Sequence, residues 1–108
     1  FISLKLLLPT IKNWLTKPSI IVPLIKPQFE AGRDDVGKGG VVRDSKIHHR
    51  VLKNILTFAR ESGFDIRGLT ISPIKGPAGN IEFLAWLTFG EPQQTIVDIE
   101  TLISPLLQ

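Results

Sequence analysis

The sequence contains no cysteine and no methionine among its 108 residues. The lack of cysteine excludes disulfides, a thiolate nucleophile, and zinc or iron–sulfur sites built on cysteine. No apolar run approaches the roughly 18–20 residues that a bilayer-spanning helix requires, so we do not expect an integral membrane protein. With 43% hydrophobic and 21% charged residues, the composition is that of a globular domain rather than a disordered chain.

The first residues do not look like a natural start. The chain opens with Phe1 instead of methionine, and it has neither the basic n-region nor the cleavage site of a signal peptide. We therefore expect residues 1–108 to be an internal or C-terminal piece of a longer polypeptide and to form part of one domain.

Basic charge is concentrated in one stretch. From Lys26 to Lys53, seven basic residues stand against four acidic ones, while the rest of the chain has six of each. This stretch therefore carries the whole net charge of +3. Such a local excess suits a phosphate-bearing partner, but a solvated loop and helix face would carry the same charge, and both interpretations stay open.

Hydrophobic periodicity predicts alternating helices and strands. We predict helices over residues 3–16, 44–62 and 94–104, and strands over residues 19–25, 64–72 and 81–89. This order favours an α/β fold in which helices cover a partly parallel sheet and the last two strands pair antiparallel.

Single residues refine the element boundaries. Asp44 is a plausible N-cap for the middle helix, and Gly63 is suited to end it. Pro9 either kinks the first helix or lies near its true start. The run at 19–25 is apolar enough for a strand buried on both faces, although Pro23 removes a ladder donor.

The glycine-bearing loop predicted over residues 27–43 contains a near-match to the phosphate-binding sequence GxxxxGK[ST]. Gly39 stands where that sequence needs a hydroxyl side chain for Mg²⁺, two carboxylates lie inside the loop, and the next helix begins too late. We therefore do not predict nucleotide hydrolysis. A basic loop against a nucleic-acid backbone and a purely structural loop both remain open.

Other catalytic or metal-binding patterns are weak. His48 and His49 are neighbours on a predicted helix and point about 100° apart, so they cannot chelate one ion. We expect both to face solvent or phosphate, and we expect no metal site. The sequence has no Gly-x-Ser-x-Gly elbow, and the apolar stripe of the first helix is more typical of a core face than of a membrane-bound surface.

Lys26 and Glu82 form a more informative pair. Lys26 follows the first predicted strand, at the end where α/β sheets place their ligand crevice, and Glu82 stands at the entry of the last strand. If these two strands pair antiparallel, both residues lie at the same edge of the sheet. A peripheral ion pair and a functional pair are both consistent with this pattern.

Three longer motifs surround these residues. They are Lys-Pro-Gln-Phe-Glu-Ala-Gly-Arg at 26–33, Gly-Lys-Gly-Gly-Val-Val-Arg-Asp at 37–44, and Ser-Pro-Ile-Lys-Gly-Pro-Ala-Gly-Asn-Ile-Glu-Phe at 72–83. In this order they resemble the C-terminal half of the hemolysin A proteins, which are TlyA-type, FtsJ-like RNA methyltransferases. The opening Phe-Ile-Ser-Leu resembles the segment that follows the fourth conserved strand in the same family.

The resemblance implies the C-terminal half of a Rossmann-like methyltransferase sheet: three strands, the last one antiparallel, flanked by helices. It also implies methyl transfer from S-adenosylmethionine to a ribose 2′-hydroxyl of ribosomal RNA, in the cytoplasm, with ribosomal RNA or a ribosomal subunit as partner. The family uses a Lys–Asp–Lys–Glu tetrad, in which Lys26 matches the second lysine, the proposed general base, and Glu82 matches the glutamate.

The remaining machinery of the family would lie upstream of Phe1. This includes the first lysine, the aspartate, the glycine-rich cofactor motif and an S4-like RNA-binding domain, so we expect the chain alone to be inactive. Phosphate contacts are assigned to Arg33, Lys38, Arg43, Lys46, Arg50 and Lys75. One alternative is a non-catalytic RNA-binding module. The other, taking the family name literally, is a membrane-lytic protein, which only the amphipathic first helix supports.

Overall fold

A computed structural model describes residues 3–90 and 96–107. The helices are α1 (Leu4–Lys12), α2 (Pro27–Glu30), α3 (Ser45–Glu61) and α4 (Ile99–Ile103), and the strands are β1 (Ser19–Ile21), β2 (Leu24–Ile25), β3 (Asp65–Ile71) and β4 (Phe83–Phe89). The predicted mixture of helices with a small sheet is confirmed.

β4 is the central strand of the sheet. It pairs antiparallel with β3 along one side, and with β1 and β2 along the other. The antiparallel last pair is therefore confirmed, whereas the expected parallel pairing is not found among the described residues. β2 and β3 do run in the same direction, but β4 lies between them, so neither bonds to a parallel neighbour.

The apolar run at 19–25 forms two short strands instead of one. Pro23 has no N–H for the ladder, and strand pairing is interrupted there, although its carbonyl accepts a hydrogen bond from the Ala85 N–H at 3.2 Å. The run is also not buried on both faces, because Ile20 is 68% exposed while Ile25 is fully buried. The prediction of a doubly buried strand is therefore wrong.

The core lies between the helices and one face of the sheet. Phe83, Ala85 and Leu87 alternate along β4 and are buried in this core, while Trp86 between them is 50% exposed. The matching helix residues on α3 are Val51, Leu52, Ile55, Leu56 and Ala59. The opposite face of the sheet is apolar but exposed, with Ile20, Val22, Leu24 and Trp86 on it.

Helix boundaries follow the capping residues closely. The Asp44 side chain accepts a hydrogen bond from the Lys46 N–H at the start of α3, and Gly63 beyond its end adopts a φ of +98°, which glycine tolerates best. α1 begins after Ser3, its N-cap, and continues through Pro9.

Two regions differ from their predicted extent. The loop predicted over 27–43 includes α2 and short 3-10 turns at Arg33–Asp35 and Lys38–Gly40. The last helix begins only at Ile99, because Asp98 provides its N-cap; residues 94 and 95 of the prediction lie outside the described residues. In the ranges that the structure describes, no helix combines the length and apolar character needed to cross a bilayer.

Candidate active site

The pairing of β2 with β4 places Lys26 and Glu82 at the same end of the sheet. Ile25 is opposite Phe83 in the antiparallel register, so Lys26 follows one member of the pair and Glu82 precedes the other. The positions expected from the sequence are thus brought together. No ion pair joins the two side chains in the part of the chain that the structure describes, and a simple peripheral salt bridge is therefore wrong.

Lys26 occupies a sharp turn from strand to helix. It is the N-cap of α2, with Pro27 at the first helical position, where the missing N–H of proline costs nothing. The Lys26 carbonyl accepts from the Phe29 N–H at 2.9 Å, and its Nζ lies 5.2 Å from the centre of the Phe29 ring. This half-buried lysine is thus held beside an aromatic face, a cation–π geometry.

Glu82 is a buried carboxylate, only 5% exposed. Its Oε2 accepts a hydrogen bond from Gln28 Nε2 at 2.7 Å, and its backbone carbonyl accepts from the Ser72 N–H at 2.8 Å. On another side it packs against Gly76, where an added Cβ would lie 2.0 Å from Oε2. Since the φ of Gly76 is −77°, space and not backbone conformation requires glycine there.

Glu30 is a residue that the sequence argument did not single out. Its carboxylate accepts from Ser3 Oγ at 2.6 Å and from the Leu4 N–H at 2.9 Å. A carboxylate at a helix N-terminus satisfies free N–H groups and opposes the helix dipole. Glu30 therefore connects the start of α1 to the turn that carries Lys26. No local sequence pattern predicts this contact.

Asn80 joins the two glycine-rich loops, and it too was not expected from the sequence. Its side chain, in a residue 2% exposed, accepts from the Val42 N–H at 3.0 Å and donates to the carbonyls of Gly40 and Pro77 at 2.9 and 3.0 Å. The loop at 37–44 is thereby fixed beside the loop at 76–80, and Glu82 follows directly from the second loop.

The basic residues proposed to bind RNA are all exposed, and they are distributed over several elements. Lys38 and Arg43 lie on one of the two loops that Asn80 joins, and Lys75 directly precedes the other. Arg50 on α3 is engaged by the Asp35 carboxylate, which partly neutralises it. The remaining two are Lys46, in the first turn of α3, and Arg33, in the 3-10 turn after α2.

The two histidines face different environments. His48 is 4% exposed, and its Nε2 lies 2.8 Å from the Val42 carbonyl, so the ring donates that hydrogen bond. It also packs edge-on against Phe83. The expectation that His48 faces solvent or phosphate is therefore wrong, because the ring is needed to close the core beneath the glycine-rich loop. Among the described residues no group of three metal-ligating side chains occurs.

His49 connects α3 to α4. Its Nε2 lies 2.8 Å from Glu100 Oε2, and Lys53 Nζ lies 3.7 Å from Glu100 Oε1. The hydrogen bond from His49 holds the pKa of Glu100 below its usual range; desolvation opposes this effect, and the charges of His49 and Lys53 add to it. The contact joins the first half of α3 to the first turn of α4.

The amphipathic first helix uses its apolar stripe in the core. Leu4 and Leu8 of α1 are buried among the other core residues, as the core-face interpretation predicted. These side chains are therefore not available to a membrane in the folded chain, which removes the single sequence feature in favour of a membrane-lytic protein.

Comparison with known proteins identifies the family. The family model for FtsJ-like methyltransferases matches residues 1–89, and the chain belongs to this family. The resemblance found in its motifs is thereby confirmed.

Individual relatives agree with the family. The chain is 50% identical over 95 residues to YqxC of Bacillus subtilis, provisionally named an rRNA methyltransferase, covering 87% of this chain and 34% of that protein. It is 42% identical over 87 residues to the 16S/23S rRNA (cytidine-2′-O)-methyltransferase TlyA of Mycobacterium tuberculosis, covering 81% and 32%. The chain thus spans about a third of the length of these curated relatives.

A solved structure shows the same fold. A protein from Lactococcus lactis, provisionally named a hemolysin, superposes with a TM-score of 0.81 at 46% identity, covering 96% of this chain and 50% of that one. The sheet with its flanking helices is therefore a fragment of the fold of FtsJ-like methyltransferases.

Asn80→Ala should destabilise the chain by roughly 1–3 kcal/mol, because it leaves the buried Val42 N–H without its acceptor and the Gly40 carbonyl without its donor. The Pro77 carbonyl keeps the backbone N–H of residue 80 as a donor. Urea denaturation measures the loss. Asn54→Ala, which removes an exposed amide from α3, is the matched control and should change stability by less than about 0.5 kcal/mol. Equal effects of the two substitutions would contradict the role assigned to Asn80.

Lowering the pH should weaken the contact between α3 and α4. Because folding lowers the pKa of Glu100, its stabilising contribution is complete above the unfolded pKa of about 4.3 and is lost as the pH falls through the lower folded value. The difference in thermal midpoint between the wild-type chain and Glu100→Gln should therefore shrink from pH 6 to pH 3. In a His49→Gln background the difference should already be small at pH 6.

Proposed function

We propose that this chain supplies the RNA-facing half of the active site of a ribosomal RNA 2′-O-methyltransferase, with Lys26 as general base and Glu82 as the carboxylate that orients it or the attacking hydroxyl. The observation that carries the proposal is the antiparallel register of Ile25 with Phe83, which sets both residues at one sheet end. The names of the relatives support an rRNA substrate, and on that basis we also propose that the activity is cytoplasmic.

The chemistry requires a proton acceptor at the attacking oxygen. A ribose hydroxyl is a poor nucleophile, and it loses its proton as it attacks the methyl group. A neutral lysine amine within hydrogen-bond reach can take that proton as general base. The buried carboxylate of Glu82, held by Gln28, is an acceptor of fixed direction that can align the amine or the hydroxyl before transfer.

The fold family implies S-adenosylmethionine as the donor, which supplies an electrophilic methyl group. The glycine-rich loop at 37–44 does not close around such a cofactor. Gly39 and Gly40, the most open part of the glycine-rich loop, are exposed, and a Cβ at either would meet nothing within 4 Å. We propose that the cofactor is held mostly by a part of the domain that precedes these residues, as in the expected division of the family's machinery.

A chimaera provides the direct test of the base. In it, this chain replaces the matching segment of TlyA from Mycobacterium tuberculosis, and methyl transfer to ribosomal RNA is measured with labelled cofactor. Lys26→Ala should reduce turnover by at least about 100-fold, since general bases contribute on this scale, and should leave cofactor affinity nearly unchanged.

Lys17→Ala is the matched control. Lys17 Nζ lies over the Phe89 ring, at the opposite end of β4, and its removal should leave turnover near that of the parent chimaera. Near-normal turnover of Lys26→Ala would contradict the assignment, as would a parent chimaera that folds and binds cofactor and RNA yet transfers no methyl group.

Binding of RNA by the two joined loops is a second, separable prediction. The triple variant Lys38→Ala/Arg43→Ala/Lys75→Ala should bind an rRNA fragment more weakly, and the slope of log affinity against log salt should decrease by about 0.7 for each lost phosphate contact with a single strand. The control triple Lys5→Ala/Lys17→Ala/Lys53→Ala has the same net charge.

Equal losses in the two triple variants would show non-specific attraction only. If the loops bind RNA while Lys26→Ala keeps full turnover, the non-catalytic binding module becomes the better description of this chain.

A further inference from the structure

The two polar atoms of the Gln28 side-chain amide differ in their hydrogen bonding. Its Nε2 donates to Glu82 Oε2 at 2.7 Å, while its Oε1 is buried and has no hydrogen-bond partner among the described residues. A carboxylate oxygen can only accept. The nitrogen must therefore face Glu82, and the orientation of the amide follows from chemistry.

An unpaired buried carbonyl is unfavourable for folding, because buried polar groups are normally hydrogen-bonded. The fold nevertheless retains an amide here, although an apolar side chain of similar size would remove this unpaired carbonyl. What the amide contributes is a donor to Glu82. Departures of this kind from the rules of stable packing are typical of functional sites.

Glu82 is confined from a second direction as well. Gly76 lies against the carboxylate so closely that an added Cβ would be 2.6 Å from Cδ. The hydrogen bond from Gln28 and the close approach of the Gly76 backbone thus both restrict the position of the Glu82 carboxylate. Because Gln28 follows Lys26 by two residues on the turn into α2, the same turn carries the proposed base and the group that orients its partner.

We propose that Gln28 is a positioning residue for the methyl-transfer reaction: it holds the Glu82 carboxylate in its productive direction. This inference rests on the proposed function of Lys26 and Glu82. Gln28 acts through Glu82, so its loss should affect the chemical step and not the binding of RNA.

The test uses Gln28→Leu in the TlyA chimaera and in this chain. In the chimaera, kcat should fall about 10–100-fold, the range expected when a catalytic group is misplaced by about an ångström, while KM for RNA stays within about twofold. In this chain the thermal midpoint should fall, because the substitution leaves the buried Glu82 carboxylate without its donor. The values of kcat are therefore compared at a temperature well below the midpoints of both chimaeras. Asn54→Leu, which replaces an exposed amide, should leave kcat unchanged.

A second readout does not depend on activity. The side-chain amide protons of Gln28, observed by nuclear magnetic resonance in this chain, should exchange slowly with solvent and should lose that protection in Glu82→Ala. Fast exchange in the wild-type chain would overturn the hydrogen bond on which the inference rests.

The outcomes separate the two proposals. If Lys26→Ala and Glu82→Gln abolish turnover while Gln28→Leu retains it, the positioning role is wrong and the proposed function stands. If none of the three substitutions lowers turnover, both are wrong. A Gln28→Leu variant that loses activity only in proportion to lost thermal stability would reduce Gln28 to a structural residue and overturn the inference.

Discussion

The antiparallel pairing of β2 with β4 is the constraint on which the site depends. Four residues of pairing, Leu24 with Leu84 and Ile25 with Phe83, bring together chain segments that are more than fifty positions apart in sequence. The side chains on one face of each strand, such as Ile25 and Phe83, are then buried in the core. The residues just beyond this short ladder are the ones that carry the proposed chemistry.

Burial of a carboxylate needs compensation, and this structure provides it locally. A charge removed from water without partners is strongly unfavourable, and at Glu82 the compensation is the Gln28 amide, with Gly76 leaving room for the carboxylate. The same arrangement limits the directions the carboxylate can take. Stability and preorganisation therefore conflict at one atom, Oε1 of Gln28, which stays unpaired among the described residues.

The two glycine-rich loops, at 37–44 and 76–80, are held in a fixed position relative to each other. Asn80 supplies an acceptor and two donors to three backbone groups, and His48 closes the underside of the first loop through the Val42 carbonyl. The exposed basic side chains of Lys38, Arg43 and Lys75 therefore extend from backbone that is anchored to the core. Such an arrangement allows long lysine and arginine side chains to adapt to a phosphate backbone while their anchor points stay still.

The sequence by itself determined the helices with clear caps, such as α3 between Asp44 and Gly63, and the strand identity of β3 and β4, because capping and periodicity are local properties. Its motifs also determined the family and the positions of Lys26 and Glu82. Only the tertiary structure decided that β4 lies between β2 and β3, that His48 is buried, and that Gln28, Glu30 and Asn80 hold the site together. The hydrogen bonds by which Gln28, Glu30 and Asn80 connect separate segments join residues 26 to 54 positions apart. Hydrogen bonds between such distant residues leave no periodic or local pattern in a single sequence.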